Sequence, residues 1–554
     1  MRVSPAPLCL AAALAAGCSA SSGPAAAPSG APAPQNPTPG AAAPLTPTPT
    51  TLQRVNPDIV EETATYTVER YKKSEYIKVD ATHIRHPLIA RHVEFFKEDD
   101  EYYYVYNAKG RPSEERVAES AAAPEAPRAP TPPAKPSKSL ADYGMPPEDF
   151  ENLAPPRVPA AFRLEELPGT GLPRQGMWRH SFVVVDMNGD GIADVVAPPA
   201  RLGGDARLNV WVNDGHGKFA RQQLTYVENG KPKPNFSAAY GGVAVGDVDG
   251  DGKLDVVLAS HSGGLVSLLG EGGGRYTVVR QGLPGRDFST QAVALVDVDG
   301  DGKLDIVSST DTYEVGSADW EPHQIHVYLA RPGRAWKYAP DALVDGAWSN
   351  TVTAWDYDGD GRRDILTGSQ AYGAVQLLWR NTGAGRFETG YFPQIEIHGF
   401  HFAMAPGTFG RDRRAAFADA FARSTNKPER LQAQGVTVYS YEKGAWTRHR
   451  IWRQKNGTTF LYALAMGDID GDGLDDVVFA DSTGPYRLRI FLQRADGTFA
   501  EAAEEAEPKL DSPGQCVRLA DVDGDGRLDV IVAKTYTSGR SGDPGGWSVF
   551  VNRK

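Results

Sequence analysis

From about residue 160 onward, short runs of the chain alternate between small and bulky side chains. Ahead of a series of Asp-rich turns, the positions three and five residues before the first Asp are small: Ala244 and Gly242, Ala294 and Ala292, Thr353 and Thr351, Ala465 and Ala463. The positions between are larger and apolar, as in Val243, Val245, Val293, Leu295, Leu464 and Met466. A period of two puts these sets on opposite faces of a strand, so each sheet has one small and one bulky face and neighbouring sheets can interlock. Arg518 breaks the pattern in the last copy. A second apolar run follows each turn (DVVLA, DIVSS, DILTG, DVVFA), and a third reads LNVWVN, LVSLLG, IHVYLA, VQLLWR, VTVYSY, LRIFLQ or WSVFVN. A fourth opens on an aromatic after a Gly-rich turn: Phe219, Tyr276, Trp336, Phe387, Trp446 or Phe499. Each unit therefore predicts four antiparallel strands.

The turns share one pattern, Asp-x-Asp/Asn-x-Asp-Gly-x-x-Asp, in six copies. Positions one, three, five, seven and nine are Asp186, Asn188, Asp190, Ile192 and Asp194 in the first, and Asp247, Asp249, Asp251, Lys253 and Asp255 in the second. They are Asp297, Asp299, Asp301, Lys303 and Asp305 in the third, and Asp356, Asp358, Asp360, Arg362 and Asp364 in the fourth. The last two carry Asp468, Asp470, Asp472, Leu474 and Asp476, then Asp521, Asp523, Asp525, Arg527 and Asp529. Alternating carboxylates on a sharp turn converge on one point, as a hard cation of calcium's size requires. The glycine at position six supplies backbone angles that a Cβ would obstruct. Position seven is chemically variable, which suits a backbone carbonyl ligand. These are not EF-hands: position twelve, where a bidentate Glu belongs, holds Ala197, Leu258, Ser308, Thr367, Phe479 or Val532. About six calcium ions are expected.

Successive first aspartates lie 50 to 61 residues apart, except that Asp356 to Asp468 spans about two repeats. A seventh unit without ligands is expected there, near MAPGTFGRDRRAAFADAF, with Gly407 at the first ligand position. Seven units of four strands predict an all-β, seven-bladed β-propeller over 160–554. The last unit has only three strand signals, and Phe162 matches the aromatic that opens the fourth strand elsewhere. Residues 161–167 are expected to pair with 547–552 and close the ring.

These residues resemble the FG-GAP or VCBS repeats of propellers such as the head of integrin alpha subunits. The resemblance implies that each calcium loop joins the two innermost strands of a blade, at one end of the propeller. It implies no particular function, because such propellers serve adhesion, polysaccharide handling and other secreted roles.

Upstream, composition divides the chain. Residues 1–17 read as a bacterial lipoprotein signal ending in Leu14-Ala15-Ala16-Gly17, with Cys18 as the lipidated residue; a plain secretory signal is the rival reading. Residues 18–53 form an Ala/Pro-rich tether and 118–159 a second Pro/Ala-rich linker. Between them, 54–117 reads as a small β-rich module, with KEDDE as a hairpin turn between Phe96 and Tyr102. The expected place is the bacterial cell envelope, lipid-anchored at the outer membrane, cell surface or periplasmic face. Cys516 remains as the one thiol outside the leader and anchor, at a small-residue position that suits a packed core.

The formal net charge of −12 would be offset by six divalent ions, and no basic stripe suggests nucleic acid. No H-E-x-x-H or G-x-S-x-G occurs. The connections opposite the calcium loops are longer and more varied, as binding loops on a rigid scaffold are. They hold Trp178, Arg179, His180, Tyr240, Tyr313, Trp320, His323, Trp348, Asn350, His401 and Tyr462. The resulting expectation is a monomeric binding propeller for a protein or glycan ligand, in adhesion or recognition. A carbohydrate-active lyase or hydrolase and a structural envelope component are the alternatives.

Overall fold

The computed structural model describes residues 150–554 apart from 180, 202–206, 234–237, 262, 286–288, 311–324, 340–341, 343–348, 350, 369–377, 389–399, 425–431, 457–462, 483–484 and 537–542. It also describes the segments 58–62, 66–73, 77–78, 83–85, 92–94 and 97–108. The alternating runs form seven sheets, each a blade. Blade 1 contains Val183–Val185, Asp194–Ala197, Asn209–Asn213 and Phe219–Arg221. Blade 2 contains Val243–Gly246, Asp255–Ser260, Gly264–Gly272 and Arg275–Val279. Blade 3 is built from Thr290–Val296, Asp305–Thr310, Ile325–Arg331 and Ala335–Tyr338, and blade 4 from Val352–Trp355, Asp364–Thr367, Leu378–Asn381 and Phe387–Glu388. Blade 5 contains Phe400–Phe409, Arg414–Ser424, Gln432–Glu442 and Ala445–Lys455. Blade 6 contains Leu464–Gly467, Asp476–Asp481, Arg487–Gln493 and Phe499–Ala502. Blade 7 takes Gly514–Ala520, Asp529–Lys534 and Gly546–Arg553 and borrows its outer strand, Arg163–Glu166, from the other end of the chain.

The innermost strands touch in sequence around the ring, and that of blade 7 touches that of blade 1. The small face of one blade meets the bulky face of the next: Ala244 packs in one cluster with Val293 and Leu295, and Ala463 and Ala465 with Val517. The approach is close enough that a Cβ on Gly242 would lie 2.9 Å from Ala292 Cα. Cys516 is buried among blade 1 and blade 7 side chains. Arg518 is accommodated at the same junction, its guanidinium over the Phe182 ring at 5.5 Å and its Nη1 donating to the Val517 carbonyl at 2.9 Å.

Ring closure follows the expected pairing, with Glu166 opposite Phe550 and Arg163 opposite Arg553. The N-terminal approach does more than close it. Leu153 pairs with Arg453 of blade 5, Arg157–Val158 run parallel to Glu501–Ala502 of blade 6, and the Phe219 amide of blade 1 donates to the Thr170 carbonyl. Residues 153–170 thus form a belt along the outer edges of four blades, covering edges that would otherwise template association. Blade 2 protects its own edge with Thr225–Glu228, parallel to its outer strand, and Lys231–Pro232.

Blade 5 departs from expectation. Gly407 lies inside the first strand, opposite Ala416, and a Cβ there would meet Met466 at 2.8 Å. Gly246 and Gly467 face the next blade in the same way, and both precede a first-position Asp. Gly407 is therefore their equivalent, and Thr408 holds position one. The loop itself is replaced by a tight turn at Gly410–Arg413, with Gly410 and Arg413 at φ 74° and 51°. Its four strands are 10 to 11 residues long, longer than the described strands of the other blades.

Upstream, Asp58–Glu62, Tyr66–Lys72, Tyr102–Ala108 and Lys97–Glu98 form one small sheet, and Ile77–Lys78, His83–Arg85 and His92–Glu94 another. The KEDDE segment is the expected hairpin turn: the Asp99 amide donates to the Tyr102 carbonyl at 3.0 Å.

Candidate metal loops and the opposite end

Each loop joins the first and second strands of its blade and is held by its own first aspartate. In the second loop, Asp247 Oδ1 accepts from the Gly250 amide at 2.7 Å and Oδ2 from the Gly252 amide at 2.9 Å. The same two bonds recur at Asp186, Asp297, Asp356, Asp468 and Asp521. The ninth-position aspartate is fully buried in all six copies. Asp255 accepts from the Val248 amide at 2.8 Å and from Gly270 of the third strand at 2.7 Å, so it ties the loop to the sheet. Burial pushes Asp255, Asp305 and Asp529 up to about 6 and Asp364 up to about 7, and raises Asp194 and Asp476 as well. A nearby cation would favour the charged form of each.

Five loops gather three carboxylates with one oxygen from each within 4.8 Å of the others. In blades 2 and 4 these are positions one, three and five (Asp247, Asp249, Asp251; Asp356, Asp358, Asp360). In blades 3, 6 and 7 they are positions one, three and nine (Asp297, Asp299, Asp305; Asp468, Asp470, Asp476; Asp521, Asp523, Asp529). In blade 1 position three is Asn188, whose Nδ2 donates to Asp190 at 2.9 Å. Asp299 Oδ1 and Asp523 Oδ1 are buried with no hydrogen-bond partner. A donor set of oxygens alone, with buried unsatisfied lone pairs, fits a hard divalent cation. At position seven the backbone amide donates to the position-five carboxylate, as from Lys253 to Asp251 at 2.9 Å.

Two features of the loops are not evident from the repeat pattern. Arginines approach the third-position carboxylates: Arg331 to Asp299 at 3.1 Å, Arg380 to Asp358 at 2.6 Å and Arg553 to Asp523 at 2.5 Å. In blades 1, 4 and 7 a third-strand asparagine amide also staples the blade to its predecessor. Asn213 Nδ2 donates to the Val522 carbonyl at 2.9 Å, Asn381 Nδ2 to that of Asp297 at 3.0 Å and Asn552 Nδ2 to that of Ile469 at 2.7 Å. The recurrent Asn at the end of the third run was the available signal.

At the opposite end, Trp178 and His401 are core side chains, not ligand-facing ones. Trp178 is 4% exposed, edge-on to Trp211 and Trp547, and its Nε1 donates to the Gln175 carbonyl at 3.1 Å. It fills the junction between blades 7 and 1. His401 is 1% exposed with Nδ1 2.8 Å from Asp419 Oδ2. Arg179 Nε donates to Gln515 Oε1 at 3.2 Å. Tyr240 is half-buried, stacked on His261 at 4.7 Å with the Arg201 guanidinium 5.0 Å from its ring centre. His180, Tyr313, Trp320, His323, Trp348, Asn350 and Tyr462, like Cys18, lie outside the described residues.

The FG-GAP-like repeat family matches residues 186–258, 247–308 and 468–532. Among curated proteins no sequence match is found. Among solved structures the chain is similar to BBS1N in complex with ARL6DN, at 10% identity and TM-score 0.41 over 71% of this chain and 98% of that one. It is also similar to the periplasmic gluconolactonase PpgL of Pseudomonas aeruginosa, at 14% identity and TM-score 0.38 over 59% and 84%. The exotype rhamnogalacturonan lyase YesX is similar at 13% identity and TM-score 0.29, over 69% and 66%. The matched repeats fall on blades whose first two strands are joined by the acidic loops, so the chain carries FG-GAP-like repeats within a seven-bladed β-propeller.

Proposed function

We propose that this protein is a calcium-stabilised binding propeller, lipid-anchored through Cys18 in a bacterial cell envelope, that presents the end opposite its loops to a protein or glycan ligand. One observation carries this reading: the two ends of the ring are built differently. The loop end repeats one short acidic turn in six blades, whereas the second-to-third connections at the other end range from the tight 261–263 to the long 311–324. Uniform loops suit a common structural ion, and varied connections on a rigid frame suit recognition. About six calcium ions, one per acidic loop, would join the first two strands of those blades.

The test has two arms. The intact chain in calcium buffer is screened on a glycan array and used to capture partners from bacterial envelope extracts. Trp320→Ala and Trp348→Ala are expected to weaken whatever is bound while leaving the calcium-loaded melting temperature unchanged. If both variants bind normally and substitutions around the calcium loops abolish binding, the assignment of ends is wrong.

A further inference from the structure

Between blades 5 and 6, at the end opposite the loops, lies a cleft of about 430 Å³, within the range of ~300–1,000 Å³ usual for small-molecule sites. Its walls come from three places. The end of the outer strand of blade 5 contributes Trp452 and Arg453, the end of the second strand of blade 6 contributes Asp481 and the start of its third strand Arg487 and Arg489, and the belt contributes Leu153. Three guanidinium groups thus line the cleft against one carboxylate, in a chain whose formal net charge is −12. Two of the three are fixed. Arg489 is 6% exposed, with Nε and Nη2 on Glu501 Oε1 at 2.7 and 2.6 Å and its plane over Trp452 at 4.5 Å. Arg453 is 2% exposed, and its Nη2 donates to Thr437 Oγ1 at 3.2 Å. Arg487 differs: its side chain is 25% exposed, and its nearest carboxylates, Glu507 and Glu504, stand at 3.6 and 3.9 Å, too far for hydrogen bonds. Flanked by these two carboxylates but hydrogen-bonded to neither, it offers a planar donor fork to the cleft beside two immobilised guanidinium groups, of which Arg489 is paired with Glu501.

We infer that this cleft binds a small carboxylate-bearing ligand, with the carboxylate on Arg487 and the apolar part of the ligand against Leu153. The geometry of a guanidinium fork matches two carboxylate oxygens at once, which a point charge such as lysine does not. Leu153 is the exposed large hydrophobic side chain among the described residues, at 37%, and covering it would add to the affinity. The inference rests on the reading that this end of the ring binds ligands, and adds where and what.

The test is calorimetric titration of the intact, calcium-loaded chain with D-glucuronate, with its methyl ester as a neutral isostere. Binding of the acid and not of the ester is expected. Arg487→Gln should weaken it about tenfold or more, as loss of charge-assisted hydrogen bonds does, with an unchanged melting temperature. Absence of binding at millimolar glucuronate, equal binding of acid and ester, displacement by equimolar sulfate, or full affinity in Arg487→Gln would each overturn the inference. Envelope partners captured equally by the wild type and Arg487→Gln would overturn the cleft while leaving the proposed binding end intact. Partners lost in Trp320→Ala but glucuronate retained would separate the two sites.

Discussion

Asp475 of blade 6 accepts hydrogen bonds from both the backbone amide and the hydroxyl of Thr408 in blade 5, at 2.7 and 2.9 Å. The other acidic loops hold Ala193, Leu254, Leu304, Arg363 or Leu528 at this eighth position. The carboxylate is 8% exposed and reaches the one blade without an acidic loop. It supplies there a fixed negative charge across the blade junction, with Arg413 Nη2 3.5 Å from its other oxygen.

Asp475→Ala is therefore expected to destabilise the protein by about 1–3 kcal/mol, the cost of leaving a buried donor unpaired. Because the contact involves no metal, added calcium should not restore it. Urea unfolding of the wild type and variant, each with and without chelator, measures the difference. A deficit that vanishes in excess calcium would assign Asp475 to the metal loop of its own blade instead.

Removing divalent ions with a chelator should lower the melting temperature, and calcium should restore it. For a site with Kd near 10⁻⁴ M, 1 mM calcium stabilises by about 1.4 kcal/mol. Asp251→Ala should cost less than chelation, since it weakens one loop while the others stay loaded. Scanning calorimetry on protein shown by elemental analysis to be metal-free decides this, and an unchanged transition would rule out structural calcium.

His326 should make blade 3 acid-sensitive. Its Nδ1 lies 3.1 Å from the Tyr338 hydroxyl, and burial pushes its pKa down to about 4. Unfolded, it titrates near ~6.5, so between these values the unfolded chain binds more protons. Its contribution is thus fully present above about pH 6.5 and is lost as pH falls toward 4. Relative to His326→Leu, the wild type should lose about 3 kcal/mol at most between pH 7 and pH 4. Paired denaturant titrations at several pH values in saturating calcium report the change, and parallel curves would count against it.

A chain beginning at residue 172 loses the belt and the outer strand of blade 7. Phe162, 6% exposed within the core cluster of blades 6 and 7, goes with it. It should melt earlier and self-associate through the uncovered edges. Light scattering and thermal denaturation beside a chain beginning at residue 150 provide the comparison, and equal behaviour would mean the belt is dispensable.

The blade architecture was legible because its determinants are local and repeated: alternation sets the strands, and Asp-Gly spacing sets the turns. Phe162 could be placed at the far end of the chain for the same reason, since blade 7 lacked a fourth aromatic-led strand. Gly407 was misplaced by one position because spacing alone does not separate an emptied loop from a deleted one. That distinction depends on Met466 in the next blade, which needs the glycine's missing side chain. Trp178 and His401 read as surface residues because they fall near strand ends. Their burial is decided by Trp211, Trp547 and Asp419, distant in sequence. The arginine cleft was hidden for a similar reason, with walls contributed by the belt and by two blades.

The pairing of Arg163–Glu166 with Gly546–Arg553 also imposes an order in time. The strand Arg163–Glu166 cannot find its partner until every other strand of the blades has been made. Blade 7 therefore forms last and commits the whole circle at once, at the loop-closure cost of almost the entire domain. Until then the nascent ring carries two open ends, each with an unpaired strand edge. A cell making this protein must keep those ends apart from other copies for as long as the final blade is missing.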